Sequence, residues 1–144
     1  MSFLTLNKVG KEYQSQAGTF RALDDVSFAL ENGEFVVILG PSGAGKTTLL
    51  NLLGGMDSVT EGSIILDGKE VSKLNKKELT QYRRDDIGFV FQFYNLMPNL
   101  TALENVELAT EICPDALEPK TVLSSVGLSE RLTNFPAQLS GGAQ

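Results

Sequence analysis

Eight consecutive residues constrain this chain more than any others: Gly40, Pro41, Ser42, Gly43, Ala44, Gly45, Lys46 and Thr47. They follow the apolar run Phe35-Val36-Val37-Ile38-Leu39 and precede Leu49, Leu50, Leu52 and Leu53, which predicts a strand, a tight loop and a helix. Gly40, Gly43 and Gly45 free the backbone for conformations closed to other residues, so successive N–H groups can turn toward phosphate oxygens. The helix that begins there adds a partial positive charge at its N-terminus, through Thr47 and Thr48. Lys46 is expected to reach the β- and γ-phosphates of a triphosphate, and the Thr47 hydroxyl to ligate Mg²⁺. Gly40 to Thr48 is therefore the predicted nucleotide-binding segment.

Charge then separates nucleotide from nucleic acid. The net charge of −6 opposes a duplex-DNA footprint, whose affinity comes largely from Lys and Arg on phosphates. The expected macromolecular partner is a protein. Among 144 residues, 42% hydrophobic and 21% charged is a balance expected of a globular fold with a core. Cys113 stands alone, so no internal disulfide is expected and the residue reads as a small core side chain. Neither an export signal nor an apolar run of membrane-spanning length is visible.

The chain divides near Gln92. Before it, Phe3 to Leu6 and Val26 to Leu30 read as strands, with Asn32-Gly33 as a hairpin turn into the Phe35–Leu39 strand. The helix after Thr47 is expected to end at Gly54-Gly55, and Ser63 to Leu66 with Asp67-Gly68 to form a strand and turn. Asn75 with Glu78 predicts a capped helix through Arg84, and Ile87 to Phe91 a short buried strand. Lys73, Lys76 and Lys77 read as a solvated helix edge. Beyond Gln92, Thr101 with Glu104 caps another helix, and Pro119 to Val126 a further one stopped by Gly127. The expected division is residues 1–92 as an α/β core with an antiparallel β layer and residues 93–144 as a helical subdomain.

The chain closes on Leu139-Ser140-Gly141-Gly142-Ala143-Gln144, and with that phrase it resembles the ATP-binding cassette (ABC) ATPases. GPSGAGKT matches the Walker A loop of that family, Gln92 its Q-loop and LSGGAQ its signature motif, in the family's order. The phrases LLNLLGGMDSVTEGSIILDG and RRDDIGFVFQFYNLMPNLTALENVEL are similar to the subgroup serving bacterial lipoprotein-release and macrolide-export permeases. The resemblance implies a P-loop α/β fold. It also implies the ATP-binding subunit of a transporter, with ATP and Mg²⁺ as ligands, peripheral at the cytoplasmic face of the bacterial inner membrane.

It further implies roles for single residues. Tyr13 stands where the family stacks an aromatic ring on adenine, and a Tyr face suits that without reading base edges. Gln92 matches the residue that senses Mg²⁺ and the attacking water, as an amide oxygen can. Lys46 and Gln92 are thus the candidate catalytic residues, and Thr47 and Gln92 the candidate metal ligands. Ser140, Gly141 and Gly142 would open a helix facing the γ-phosphate held by a second, head-to-tail ATP-binding subunit. Phe93, Tyr94, Leu96 and Met97 lie where the family receives its membrane permease subunit, although core packing would equally explain them.

The family pattern continues into a Walker B strand, a glutamate and a switch histidine, none of which lies in these 144 residues. The expectation is a fold incomplete at its carboxyl-terminal side, carrying part of the phosphoryl-transfer constellation. The Phe35–Leu39 strand would then lack its neighbours and favour self-association. Two other functions fit the residues: a non-catalytic module that assembles on nucleotide, and an ABC-type ATPase acting on DNA or the ribosome.

Overall fold

Leu4, Leu6 and Val9 are buried while the residues between them are not, and this alternation with one phase slip builds the first strand, β1 (Leu4–Ser15). The slip coincides with Lys8, whose φ is 49°, and with irregular registers on both sides of the strand. The computed structural model describes residues 2–16, 18–91, 93–113 and 115–144. They fall into two units, the first running to Ile87 and the second from Gly88 to Gln144.

In the first unit β1 pairs antiparallel with β2 (Gly18–Leu30) on one side and β3 (Glu61–Leu66) on the other. A short β4 (Lys69–Glu70) follows β3, so the sheet order is β2-β1-β3-β4. The Asp67-Gly68 turn between β3 and β4 has φ of 46° and 77° at its two residues, the twist that two-residue hairpin turns need. Helix α1 (Lys46–Leu53) places Leu49 and Leu52 on the sheet, in one cluster with Leu4, Leu6, Val9, Leu23, Ile64, Val71 and Tyr82. Burying each such Leu contributes roughly 2 kcal/mol. It ends at Gly54, as the sequence predicts.

Helix α2 (Lys76–Asp85) starts at Asn75, whose side chain accepts from the Lys77 and Glu78 N–H groups while Glu78 accepts from the Asn75 N–H. Its buried Tyr82 donates to the Leu53 carbonyl at 2.7 Å, and Arg83 donates to the Gly55 carbonyl at 2.6 Å. Tyr82 thereby satisfies the carbonyl of the last residue of α1, which the helix itself leaves open, and Arg83 a carbonyl of the turn that follows it. Lys73, Lys76 and Lys77 are solvent-exposed on this side, with Lys73 paired to Glu70.

Two predicted strands do not form among the described residues. Residues 34–40 carry no regular structure, and Phe35 and Leu39 are 93% and 85% exposed, with Ile38 alone of the run packed on the core. Asn32-Gly33 turns as expected, but β2 finds its hairpin partner in β1. Ile87 packs on the first unit's core, while residues 88–91 are irregular and Val90 is fully exposed; Phe89 and Phe91 stack on each other at 5.1 Å. The cause is the same for both. A strand is stabilised by hydrogen bonds from a neighbour, and the described sheet offers none to either segment.

The second unit holds α3 (Ala102–Thr110) and α4 (Pro119–Ser125). Both start as predicted: Thr101 and Glu104 cap α3 reciprocally, and α4 has Pro119 in its first turn with the Glu118 carboxylate accepting from the Thr121 N–H. Gly127 follows α4 with φ of 79°. The start of α3 is tied down by Ala102 and Leu103 N–H groups donating to Asn134 and Leu132 carbonyls. Cys113 is half-buried rather than a core residue.

Candidate functional site

The glycine loop takes its shape from the elements behind it. Gly43 and Gly45 have φ of 82° and 85°, and Gly45 is the residue that opens α1. A Cβ built at Gly45 would lie 2.6 Å from the Ala22 carbonyl oxygen of β2 and 2.7 Å from a Leu23 methyl, so glycine is required twice over. No side chain caps α1 at its N-terminus. Its first N–H groups, which no helix satisfies internally, therefore receive no Ser or Asp side-chain oxygen at the N-cap. No acidic residue stands in the first turn to repel an anion.

Lys46 folds back across this loop. Its ammonium donates to the Gly40 and Pro41 carbonyls, each at 2.7 Å. An ammonium has three N–H groups, so one remains for an anion in the loop. The Ala44 N–H closes the turn onto the Pro41 carbonyl at 3.2 Å. Ser42 and Thr47 are exposed, and Thr48 is half-buried at the next position. The predicted loop residues, Gly40 to Thr48, are thus contiguous, with the Lys46 ammonium folded onto the carbonyls at the start of the loop.

Tyr13 belongs to the same unit, near the end of β1. Its hydroxyl donates to Asp57 Oδ2 at 2.8 Å, and its pKa is raised by burial, then by that bond and the charge of Asp57, with Thr48 hydrogen bonding to it in opposition. Thr48 on α1 and Tyr13 on β1 are thus neighbours. Asp57 receives the Lys11 ammonium on Oδ1 at 2.7 Å and the Ser58 N–H at 2.7 Å. Burial pushes this carboxyl up, but the bonds from Lys11, Tyr13 and Ser58 outweigh it, and the pKa lies below the usual value. The sequence reading singled out neither Lys11 nor Asp57. A Lys two positions before the Tyr on one strand was the available signal.

The second unit presents Ser140, Gly141 and Gly142 as an exposed turn. The Gln144 N–H donates to the Ser140 carbonyl at 3.1 Å, the first bond of a helical turn, and its side-chain amide donates to the Pro136 and Leu139 carbonyls. The Tyr94 hydroxyl borders Gly141, within 3.0 Å of where a Cβ would stand. Phe93, Tyr94 and Met97 are exposed, Phe93 at 80%, and Leu96 is half-buried. Asn105 fixes the adjoining segment by bonding the Met97 N–H and the Met97, Leu100 and Thr101 carbonyls. Gln92 lies outside the described residues. Among those described there is no cluster of three or more His, Cys, Asp or Glu side chains, and no helix is long and apolar enough to cross a membrane.

Comparison with known proteins follows the same lines. A family model described as "ABC transporter" matches residues 23–144. The chain is 46% identical over 98% of its length to an uncharacterized ABC transporter ATP-binding protein of Thermotoga maritima, of which it spans 62%. It is 44% identical over 96% of its length to the lipoprotein-releasing system ATP-binding protein LolD of Legionella pneumophila, of which it spans 63%. Among solved structures it superposes with a TM-score of 0.85 on the ATP-binding cassette MJ0796 in a dimeric, post-hydrolysis state bound to ADP and Pi. The two are 42% identical, over 97% of this chain and 64% of that one. The chain therefore spans somewhat under two thirds of the length of these relatives.

Proposed function

The chain belongs to the ABC transporter family, and on that premise we propose that it is the nucleotide-binding part of a cassette whose full-length protein couples Mg-ATP hydrolysis to a membrane permease. The observation that carries the proposal is the N-terminus of α1, which has no side-chain cap and no carboxylate in its first turn, with the Lys46 ammonium folded over the glycine loop that leads into it. That arrangement suits a polyphosphate better than any neutral ligand.

Within this reading the loop N–H groups hold the phosphates, and the free N–H of Lys46 offsets charge that develops on the γ-phosphate as water attacks it. Tyr13 supplies a flat face for adenine. The exposed Thr47 hydroxyl fits a hard cation that keeps most of its ligands as water and phosphate oxygens. Mg²⁺ held there would neutralise phosphate charge. Gln92 contributes by resemblance, as a sensor of that ion and of the water.

Residues 1–92 then act as the nucleotide-binding core and residues 93–144 as the helical subdomain. Ser140, Gly141 and Gly142 would meet ATP bound by a second subunit, a reading supported by the dimeric state of the similar cassette. The exposed Phe93, Tyr94 and Met97 would receive the permease, placing the protein at the cytoplasmic face of the bacterial inner membrane. Lipoprotein release is the transport class supported by likeness to LolD, and macrolide export by likeness to the ATP-binding/permease protein MacB of Paracoccus denitrificans.

The test is nucleotide binding and turnover by the full-length protein with its permease. Fluorescent ATP should bind with Mg²⁺ dependence and be hydrolysed, and Lys46→Ala should remove both. Unchanged turnover in Lys46→Ala would overturn the proposal.

A further inference from the structure

Tyr13 is held more firmly than a stacking ring at a strand end needs to be. Its hydroxyl bonds to Asp57 at 2.8 Å, and the other Asp57 oxygen accepts from Lys11 at 2.7 Å. Lys11 also donates to the Ser58 carbonyl at 2.7 Å, and its ammonium lies over the Tyr13 ring, 4.9 Å from the centroid. Two residues apart on β1, Lys11 and Tyr13 converge on one carboxylate that is distant in sequence. Lys11 is only 8% exposed, so its charge is withdrawn from water and committed to this contact.

The backbone reinforces the same seam. The Thr60 N–H donates to the Gly10 carbonyl at 2.9 Å, and the Glu12 N–H to the Thr60 hydroxyl at 2.9 Å. Segment 57–60 is thus clamped along β1 at four points. That segment follows directly from α1, because the Met56 and Asp57 N–H groups donate to the Asn51 carbonyl inside the helix. The ring of Tyr13 is thus joined to the helix that begins at the glycine loop through the Asp57 carboxylate as well as through Thr48.

We propose that Lys11 and Asp57 are positioning residues that fix the Tyr13 ring, at a set distance from α1, as a preorganised platform for the base of a bound nucleotide. The inference rests on the reading of Tyr13 as an adenine-stacking residue. Freezing the hydroxyl end of the ring removes rotation that binding would otherwise have to freeze. An ammonium over the ring withdraws electron density from it and suits a base on the opposite face. Neither residue belongs to the glycine loop, so their effect is expected to be confined to ligands that carry a base.

The experiment compares Mg-ATP with inorganic tripolyphosphate as ligands of the full-length protein, with each variant first shown to melt cooperatively. Tyr13→Ala should weaken ATP and spare tripolyphosphate. Asp57→Asn should weaken ATP roughly 3- to 10-fold, the worth of one or two hydrogen bonds, and leave tripolyphosphate within about twofold. In a Tyr13→Phe background, Asp57→Asn should have little further effect, because the bond it acts through is already gone. Should Asp57→Asn fail to fold, Lys11→Met, which keeps the aliphatic stem, should give the same selective loss. Equal weakening of both ligands by the Asp57 or Lys11 variant, or an Asp57→Asn effect undiminished in Tyr13→Phe, would show a structural role and overturn the inference. A Tyr13→Ala protein with an unchanged ratio of the two affinities would instead remove the adenine reading on which it rests.

Discussion

Replacing Gly45 by alanine tests what shapes the glycine loop, and Gly43 supplies its internal control. The two glycines have nearly the same backbone conformation, φ of 85° and 82°. An alanine in that left-handed region costs about 1–2 kcal/mol at either position. They differ in what a methyl group would meet. At Gly43 nothing lies within 4 Å, whereas at Gly45 the new Cβ would stand 2.6 Å from the Ala22 carbonyl oxygen and 2.7 Å from Leu23 Cδ2. The first of these is backbone of β2, held between the paired residues Arg21 and Leu23, and cannot swing aside as a side chain would. Such overpacking costs about 1–3 kcal/mol more, so Gly45→Ala should destabilise by roughly 2–5 kcal/mol and Gly43→Ala by roughly 1–2. Urea unfolding of the full-length protein without nucleotide reads the difference directly as a shift in midpoint, and keeping nucleotide out avoids stabilisation by binding. Adding Leu23→Ala to Gly45→Ala removes only the methyl clash and should not restore stability. Equal costs at the two glycines would refute the claim that α1 is seated by contact of its N-cap residue, Gly45, with β2.

Three further outcomes follow from particular side chains. Burial, and then the Asp86 carboxylate, pushes the Tyr82 phenol up to about 12; folding therefore favours its neutral form, and stability should hold below about pH 10 and fall as pH rises from there through about 12. Tyr82→Phe should flatten that alkaline limb in urea titrations while costing about 1–2 kcal/mol at neutral pH, since the Leu53 carbonyl loses its donor. Asp57 has the opposite sign: its lowered pKa makes a contribution that is present above about pH 4 and lost as pH falls through the folded-state value, so Asp57→Asn should flatten the acid limb. Residues 1–144 expressed alone expose Phe35, Val36, Val37 and Leu39 on an unpaired segment; light scattering should rise with concentration, and Val37→Lys should reduce it, whereas a monomer at all concentrations would contradict this reading.

Local chemistry was legible in the sequence and partnership at a distance was not. The reciprocal caps at Asn75 and Thr101, the proline opening α4 and the stop of α1 at Gly54 all involve residues within four positions of each other, and each formed as read. Phe35 to Leu39 and Ile87 to Phe91 have strand composition, but a strand also needs a neighbour, and composition does not say whether one is present. The same limit hid the Lys11–Asp57 pair, 46 residues apart, because no periodicity links a strand to the loop after a helix. The glycine loop sits between these cases. Its glycines were read as freedom to turn, which holds for Gly43, but Gly45 is equally a matter of room, since Ala22 occupies the space a side chain would need. The loop keeps its shape although the segment before it is not a strand. What seats it is therefore on the other side: Leu49 and Leu52 buried on the sheet, Gly45 against β2, and Tyr82 and Arg83 bonded to the carbonyls at the far end of α1. The proposed nucleotide site, a loop between an irregular segment and a helix, is positioned by that helix and the antiparallel sheet behind it.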